Sequence, residues 1–115
     1  MATEFDYVQL DAITGGDVEF EREVLDEYLA SAPHDVAKLK AAAAAGDGAA
    51  LSASAHALKG ASATIGAKGF AAVALELEHA GKKGNIANVG EGVARLEAEF
   101  ADLVVLIQAR IAKAA

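Results

Sequence analysis

The chain contains no cysteine and no tryptophan, one proline, and six aromatic residues, four Phe and two Tyr. Without cysteine there can be no disulfide, no zinc–thiolate centre and no thiol nucleophile. Basic residues are also scarce, ten Lys and Arg against seventeen Asp and Glu, for a formal charge of −7. That balance argues against nucleic acid or an anionic membrane as partner, since both are met by a basic face. Long apolar runs are missing too. The longest stretch of large apolar residues, Leu103 to Ile107, falls far short of the roughly 20 residues a membrane span requires. The N-terminal MATEFDYVQLDAI is acidic and has no basic region leading into an apolar one, so it does not read as a secretory signal. A cytoplasmic location is the expectation.

What the chain has in excess is alanine, 30 of its 115 residues. Alanine is the strongest helix former, and β-branched clusters that would support a sheet are few. The length suits a single domain over 1–115, able to bury roughly two-thirds of its unfolded surface. Val8, Leu10 and Ile13 suit a short helix over residues 7–13, broken by Thr14-Gly15-Gly16. Asp17 can cap the next helix, with Glu19 and Glu21 in the first turn where the helix dipole favours acids. An apolar stripe of Phe20, Val24, Leu25, Tyr28, Leu29, Ala32, Val36 and Leu39 keeps phase across Pro33, which predicts one kinked helix up to Ala45.

Gly46-Asp47 reads as stop and restart, and the following helix should end at Gly66. A further helix is expected over residues 68–80, facing the core through Phe70, Val73, Ala74 and Leu77 and stopped by Gly81, with 82–85 as loop. Val89, Val93, Leu96, Phe100, Leu103, Ile107 and Ile111 mark a last helix, and residues 112–115 should fray. Four substantial amphipathic helices joined by loops of two to six residues predict an all-α, antiparallel up-down-up-down four-helix bundle with a short extra N-terminal helix. No helix shows a second apolar stripe, so a monomer is expected.

His56 stands out on the third of these helices. On a wheel of 100° per residue, Leu51, Leu58 and Ile65 lie roughly 140–200° from it, which turns the imidazole away from the core. The residues sharing its face are Ser52, Ala53, Lys59, Gly60 and Ala63, four small and one cationic. An exposed helix interior disfavours Gly by about 1 kcal/mol against Ala, yet Gly60 sits one turn after the ring in a chain that elsewhere uses alanine. Its missing Cβ clears space beside His56, while Lys59 is placed to meet an anion at the imidazole. Other candidates fall away. Glu76-x-x-His79 has the spacing of a di-iron helix motif but no second copy, and both residues lie off their helix's apolar direction. Gly60-Ala61-Ser62-Ala63-Thr64 approaches G-x-S-x-G but lies mid-helix, where a nucleophile elbow cannot form. His34 reads as surface.

Residues 56–67, HALKGASATIGA, resemble the signature of histidine-containing phosphotransfer (HPt) domains, H-x-L-K-G followed by small residues and then a hydrophobic residue, Gly and Ala. His56, Leu58, Lys59, Gly60, Ser62, Ile65, Gly66 and Ala67 all fit, and the resemblance extends over about residues 17–112. It implies that His56 accepts a phosphoryl group from a receiver-domain aspartate and passes it to another. The family places a Glu or Gln 22 residues after the histidine to hydrogen-bond the imidazole, which here is Glu78. A carboxylate on Nδ1–H would set the tautomer and leave Nε2 as the nucleophile. Some members of the chemotaxis-kinase type carry a further acid 19 residues after the histidine; Leu75 stands there, which resembles the phosphorelay type.

The expected site is therefore His56 as phospho-acceptor, Lys59 as phosphate partner, Gly60 as spacer and Glu78 as orienter, with Ser52, Ala53 and Ala63 on the docking face. The expected partners are response-regulator receiver domains and a hybrid sensor histidine kinase. Such a carrier is no enzyme in its own right and has no cofactor of its own, the Mg²⁺ residing on the receiver. The competing reading is a module of the same fold that regulates a kinase or receiver by docking alone, though docking has no need of the His56, Lys59 and Gly60 set.

Overall fold

The computed structural model describes residues 4–114. Five α-helices account for most of them: α1 Tyr7–Thr14, α2 Val18–Ala45, α3 Gly48–Ile65, α4 Lys68–Lys83 and α5 Gly90–Ala114, with a single 3₁₀ turn at Ile86–Asn88 before α5. There is no strand among the described residues. Three of the helices start the same way. Asp6, Asp17 and Asp47 each accept from the backbone N–H three residues on, at 3.1, 3.0 and 3.0 Å, satisfying donors that the first turn leaves unpaired. The start of α4 lacks such a side chain, and the segment ahead of α1 serves it instead. Gly69 N–H donates to the Glu4 carbonyl at 3.1 Å, Asp6 N–H donates to the Gly66 carbonyl at 2.7 Å, and Lys68 pairs with Asp6 at 2.8 Å.

α2 is continuous through Pro33, which lies on its exposed side, where water can serve the carbonyl a proline leaves unpaired. Its 28 residues span about 42 Å at 1.5 Å each, which matches the 43 Å long axis of the molecule. α2 packs against α3 and α5, α4 packs against the same two, and α1 closes onto α2 and α3. The enclosed core includes Leu10, Leu25, Leu39, Leu51, Leu58, Leu96, Leu103 and Ile107, all essentially without solvent contact. Inside it the Tyr28 hydroxyl meets Ser62 Oγ at 2.7 Å, tying α2 to α3, and burial pushes the phenol pKa up to about 12. No described helix is long and apolar enough to cross a membrane.

Four expectations need correction. The inward stripe of α2 begins at Glu21 and not at Phe20. Phe20 is 45% exposed, whereas Glu21 is buried and receives two hydrogen bonds from Arg110 of α5, at 2.9 and 3.0 Å. Arg110 also reaches Asp11 and stacks over the Tyr7 ring, so one guanidinium joins α1, α2 and α5. The second correction concerns Gly81, which does not stop α4. The helix runs on to Lys83 and ends at Gly84, whose φ of 74° is the left-handed conformation glycine adopts without penalty. Gly81 is instead buried in the interface with α3. A Cβ there would lie 2.6 Å from the Gly48 carbonyl oxygen and 2.8 Å from Ser52 N. The third follows from the second: Lys82 and Lys83 belong to a helix, not to a loop. At the other end α5 continues to Ala114, so residues 112–114 are helical, and Ala115 lies outside the described residues.

Candidate functional site

His56 sits near the middle of α3 with its side chain 68% exposed, as its position opposite Leu51, Leu58 and Ile65 requires. Beneath it, at the α3–α4 contact, lies Glu78, whose side chain is only 3% exposed. Three nitrogen-bearing groups converge on that carboxylate. His56 Nδ1 is 3.0 Å from Oε2, Lys59 Nζ is 2.8 Å from Oε1, and Lys82 Nζ is 3.2 Å from Oε2. The spacing explains the convergence. Lys59 follows His56 by three residues on α3 and Lys82 follows Glu78 by four on α4, so each pair shares a helix face.

The close approach that joins the two faces comes from Gly81, just under one turn after Glu78. Gly81 lies directly against Gly48 and Ser52, and the absence of a side chain there sets how near α4 can come to α3. Ala55 of α3 and Ala74 of α4 are both fully buried.

The electrostatics follow from this crowding of donors. The Lys59 ammonium, opposed by burial and aided by Lys82 and by His56, holds the Glu78 carboxyl down at about 2. Near neutral pH it is therefore a carboxylate, which can only accept hydrogen bonds. His56 Nδ1 must then carry the proton it donates, and in a neutral imidazole the lone pair is left on Nε2, on the exposed side of the ring. Two ammonium groups against one carboxylate also leave surplus positive charge beside that nitrogen.

The remaining expected residues divide into two sets. Gly60, Ala53 and Ala63 are exposed around the ring, and a Cβ built on Gly60 would touch nothing within 4 Å. No packing inside the chain requires glycine at that position. Gly60 edges a shallow groove between α2 and α3 whose lining includes Val24, Tyr28, Ala61 and Thr64. Ser52 is different: half-buried against Gly81, it supports the α3–α4 contact more than it presents a free face. Lys59 also sits otherwise than expected, 29% exposed and engaged with Glu78. Lys82 was missed altogether, because Gly81 read as a helix stop. The Glu-to-Lys spacing of four, favourable on a helix, was the available signal.

His79 and His34 are both exposed, and Glu76 pairs with Arg95 of α5 at 3.3 Å. Among the described residues no three His, Cys, Asp or Glu side chains stand close enough to hold a metal ion. The site thus offers an oriented, uncovered imidazole nitrogen on an open surface, with cations beside it. Such geometry suits a group handed over by another macromolecule better than a small substrate enclosed in a pocket.

Comparison with known proteins finds similarity in both fold and sequence. A solved structure, histidine-containing phosphotransfer protein B (HptB) from Pseudomonas aeruginosa PAO1, matches with a TM-score of 0.90 at 26% identity, covering 98% of this chain and 98% of that one. No curated protein matches the chain. The sequence model of the Hpt domain family matches residues 23–105, which include His56, Lys59, Gly60, Glu78 and Lys82. That match takes in well over half of the sequence, and the chain belongs to the Hpt domain family.

Proposed function

We propose that this chain is a histidine phosphocarrier that relays a phosphoryl group between aspartates of response-regulator receiver domains in a two-component phosphorelay. The observation that carries the reading is the Nδ1–H to Glu78 Oε2 hydrogen bond at 3.0 Å beneath a largely exposed His56, which leaves Nε2 as an outward nucleophile.

In the forward step the Nε2 lone pair attacks the phosphorus of a receiver's aspartyl phosphate. A P–N bond forms, the P–O bond to the aspartate breaks, and the receiver's carboxylate leaves with that electron pair. Nδ1 keeps its proton, so the phosphorylated ring carries a positive charge that the Glu78 carboxylate offsets. The reverse step, onto the aspartate of a second receiver, returns the neutral imidazole. No proton has to move in either direction, and the chain therefore needs no general acid or base of its own. Mg²⁺ is assigned to the receiver, where it would neutralise charge between phosphoryl oxygens.

Glu78 is the orienter in this scheme. Lys59 holds Glu78 ionised and lends positive charge to the phosphoryl group. Gly60, Ala53 and Ala63 leave room for the receiver, while Ser52 serves docking only through the α3 backbone it helps to place. The supply of phosphate is assigned to a hybrid sensor histidine kinase acting through its receiver. We place the whole chain, as a single monomeric domain, in the cytoplasm. Its four long helices α2 to α5 are read as an antiparallel up-down-up-down bundle, which the short connections and the mutual packing of α2, α3, α4 and α5 support.

The test is phosphotransfer from a labelled phospho-receiver. Label on the wild-type chain should be acid-labile and base-stable, as a phosphoramidate is, and absent from His56→Gln. Label of the same chemistry on His56→Gln would overturn the assignment.

A further inference from the structure

Two nitrogens share one oxygen at this site. Glu78 Oε2 accepts from His56 Nδ1 at 3.0 Å and lies 3.2 Å from Lys82 Nζ, while Oε1 is occupied by Lys59. A buried carboxylate facing an imidazole has two opposed consequences. It holds the Nδ1 proton, which directs the lone pair to Nε2. It also attracts a second proton to the ring, and a ring protonated on both nitrogens has no lone pair to attack phosphorus. The device that secures the tautomer therefore tends to silence the nucleophile, unless the charge of the carboxylate is spent on other cations.

We propose that Lys82 is a positioning residue for the phospho-acceptor: by sharing Glu78 Oε2 with His56 it keeps the imidazole singly protonated, so that Nε2 is available near neutral pH. This rests on the phosphocarrier reading above and deepens it. Lys59 draws on the same carboxylate through Oε1, and Lys82 adds a second cation on the oxygen that faces the ring. The Lys82 side chain is 63% exposed and packs in no core, so its place in this network is not explained by burial. On the α2 side, Asp35 and Lys38 line a groove with Ala53 and Ala57 of α3. They oppose one another in sign and are common to every variant compared below.

The experiment is a pH titration of the isotopically labelled imidazoles by nitrogen NMR on the full chain without any partner, in wild type, Lys82→Met and Lys82→Arg. His34 and His79 are internal controls, and His56→Gln assigns the third signal. One unit charge about 5 Å away in nearly aqueous surroundings changes a protonation ratio by about 4-fold. In Lys82→Met the ratio of doubly to singly protonated His56 at a given pH should rise by about that factor, with Lys82→Arg close to wild type. Phosphotransfer by Lys82→Met should then fall by a similar factor at pH 6 and recover by pH 8.

A merely structural role for Lys82 would lower the rate equally at every pH and leave the His56 titration alone. Superimposable His56 titrations in wild type and Lys82→Met would overturn the proposal. Because the titration needs no phosphate and no receiver, it reads the role of Lys82 even if the phosphocarrier assignment itself fails at His56→Gln.

Discussion

Replacing Gly81 with alanine tests whether the spacing between α3 and α4 governs the site. The added Cβ would lie 2.6 Å from the Gly48 carbonyl oxygen, 2.8 Å from Ser52 N and 3.1 Å from Ser52 Cβ. The two nearest atoms are backbone and cannot swing aside, so relief requires the helices to part by about 0.8 Å to restore ordinary contact. Overpacking of this kind costs about 1–3 kcal/mol, offset by about 1 kcal/mol from the better helix propensity of alanine. The net expectation is a loss of up to about 2 kcal/mol, or up to about 8 °C in Tm for a domain of this size.

The functional consequence is steeper. Glu78 precedes Gly81 by less than one turn, and widening by about 0.8 Å would stretch its 3.0 Å bond to His56 past the range of a hydrogen bond. Phosphotransfer to Gly81→Ala should therefore fall well below wild type at a temperature where both proteins are folded. Gly60→Ala is the control. It is also helical, but its Cβ meets nothing within 4 Å, so it should gain up to about 1 kcal/mol. Thermal denaturation of the two variants should thus show shifts of opposite sign. If Gly81→Ala were as stable as Gly60→Ala and transferred phosphate at the wild-type rate, the close α3–α4 approach would not be what holds Glu78 in place.

Gly60→Leu should keep its helicity by circular dichroism yet lose most transfer, because the side chain would fill the space a receiver needs; normal transfer would remove Gly60 from the docking face. Tyr28→Phe strands the buried Ser62 hydroxyl and should cost about 1–2 kcal/mol, much of which Ser62→Ala in the same chain should return. Urea unfolding of the double-mutant cycle reads that coupling, and additive losses would mean that the two hydroxyls act independently. The carboxyls set an acid response. Glu78 is held at about 2 in the folded chain against an ordinary 4.5, so its contribution to stability is complete above about pH 4.5 and disappears as pH falls toward 2. Glu21, lowered by Arg110, contributes in the same direction. Acid unfolding of Glu78→Gln should accordingly be shallower than that of wild type over this window, and identical curves would show that the ionised form of Glu78 is not favoured by folding.

Much of the fold is local and was legible in the sequence. The Asp caps at 17 and 47, the glycine turns and the 3.6-residue apolar stripes each depend on neighbours within about four positions, so the sequence states them directly. The exposure of His56 follows from the same periodicity, and the motif around it named the family. Val89, Leu96, Leu103 and Ile107 are buried as their spacing predicted.

The departures that shape the site and the core involve a partner distant along the chain. Glu21 displaces Phe20 from the interior because Arg110 arrives from α5 to neutralise it. Gly81 looks like a helix stop when read alone, and becomes a point of close approach only because the Gly48 carbonyl lies against it. With α4 thereby prolonged to Lys83, Lys82 comes onto the carboxylate of Glu78, and Lys59 turns toward that same group from the opposite helix. The sequence by itself determined which helices form and that His56 faces outward. The tertiary structure decided what lies under that histidine, because the ionisation of a buried carboxylate depends on every charge brought within a few ångströms, and chain order does not encode those distances.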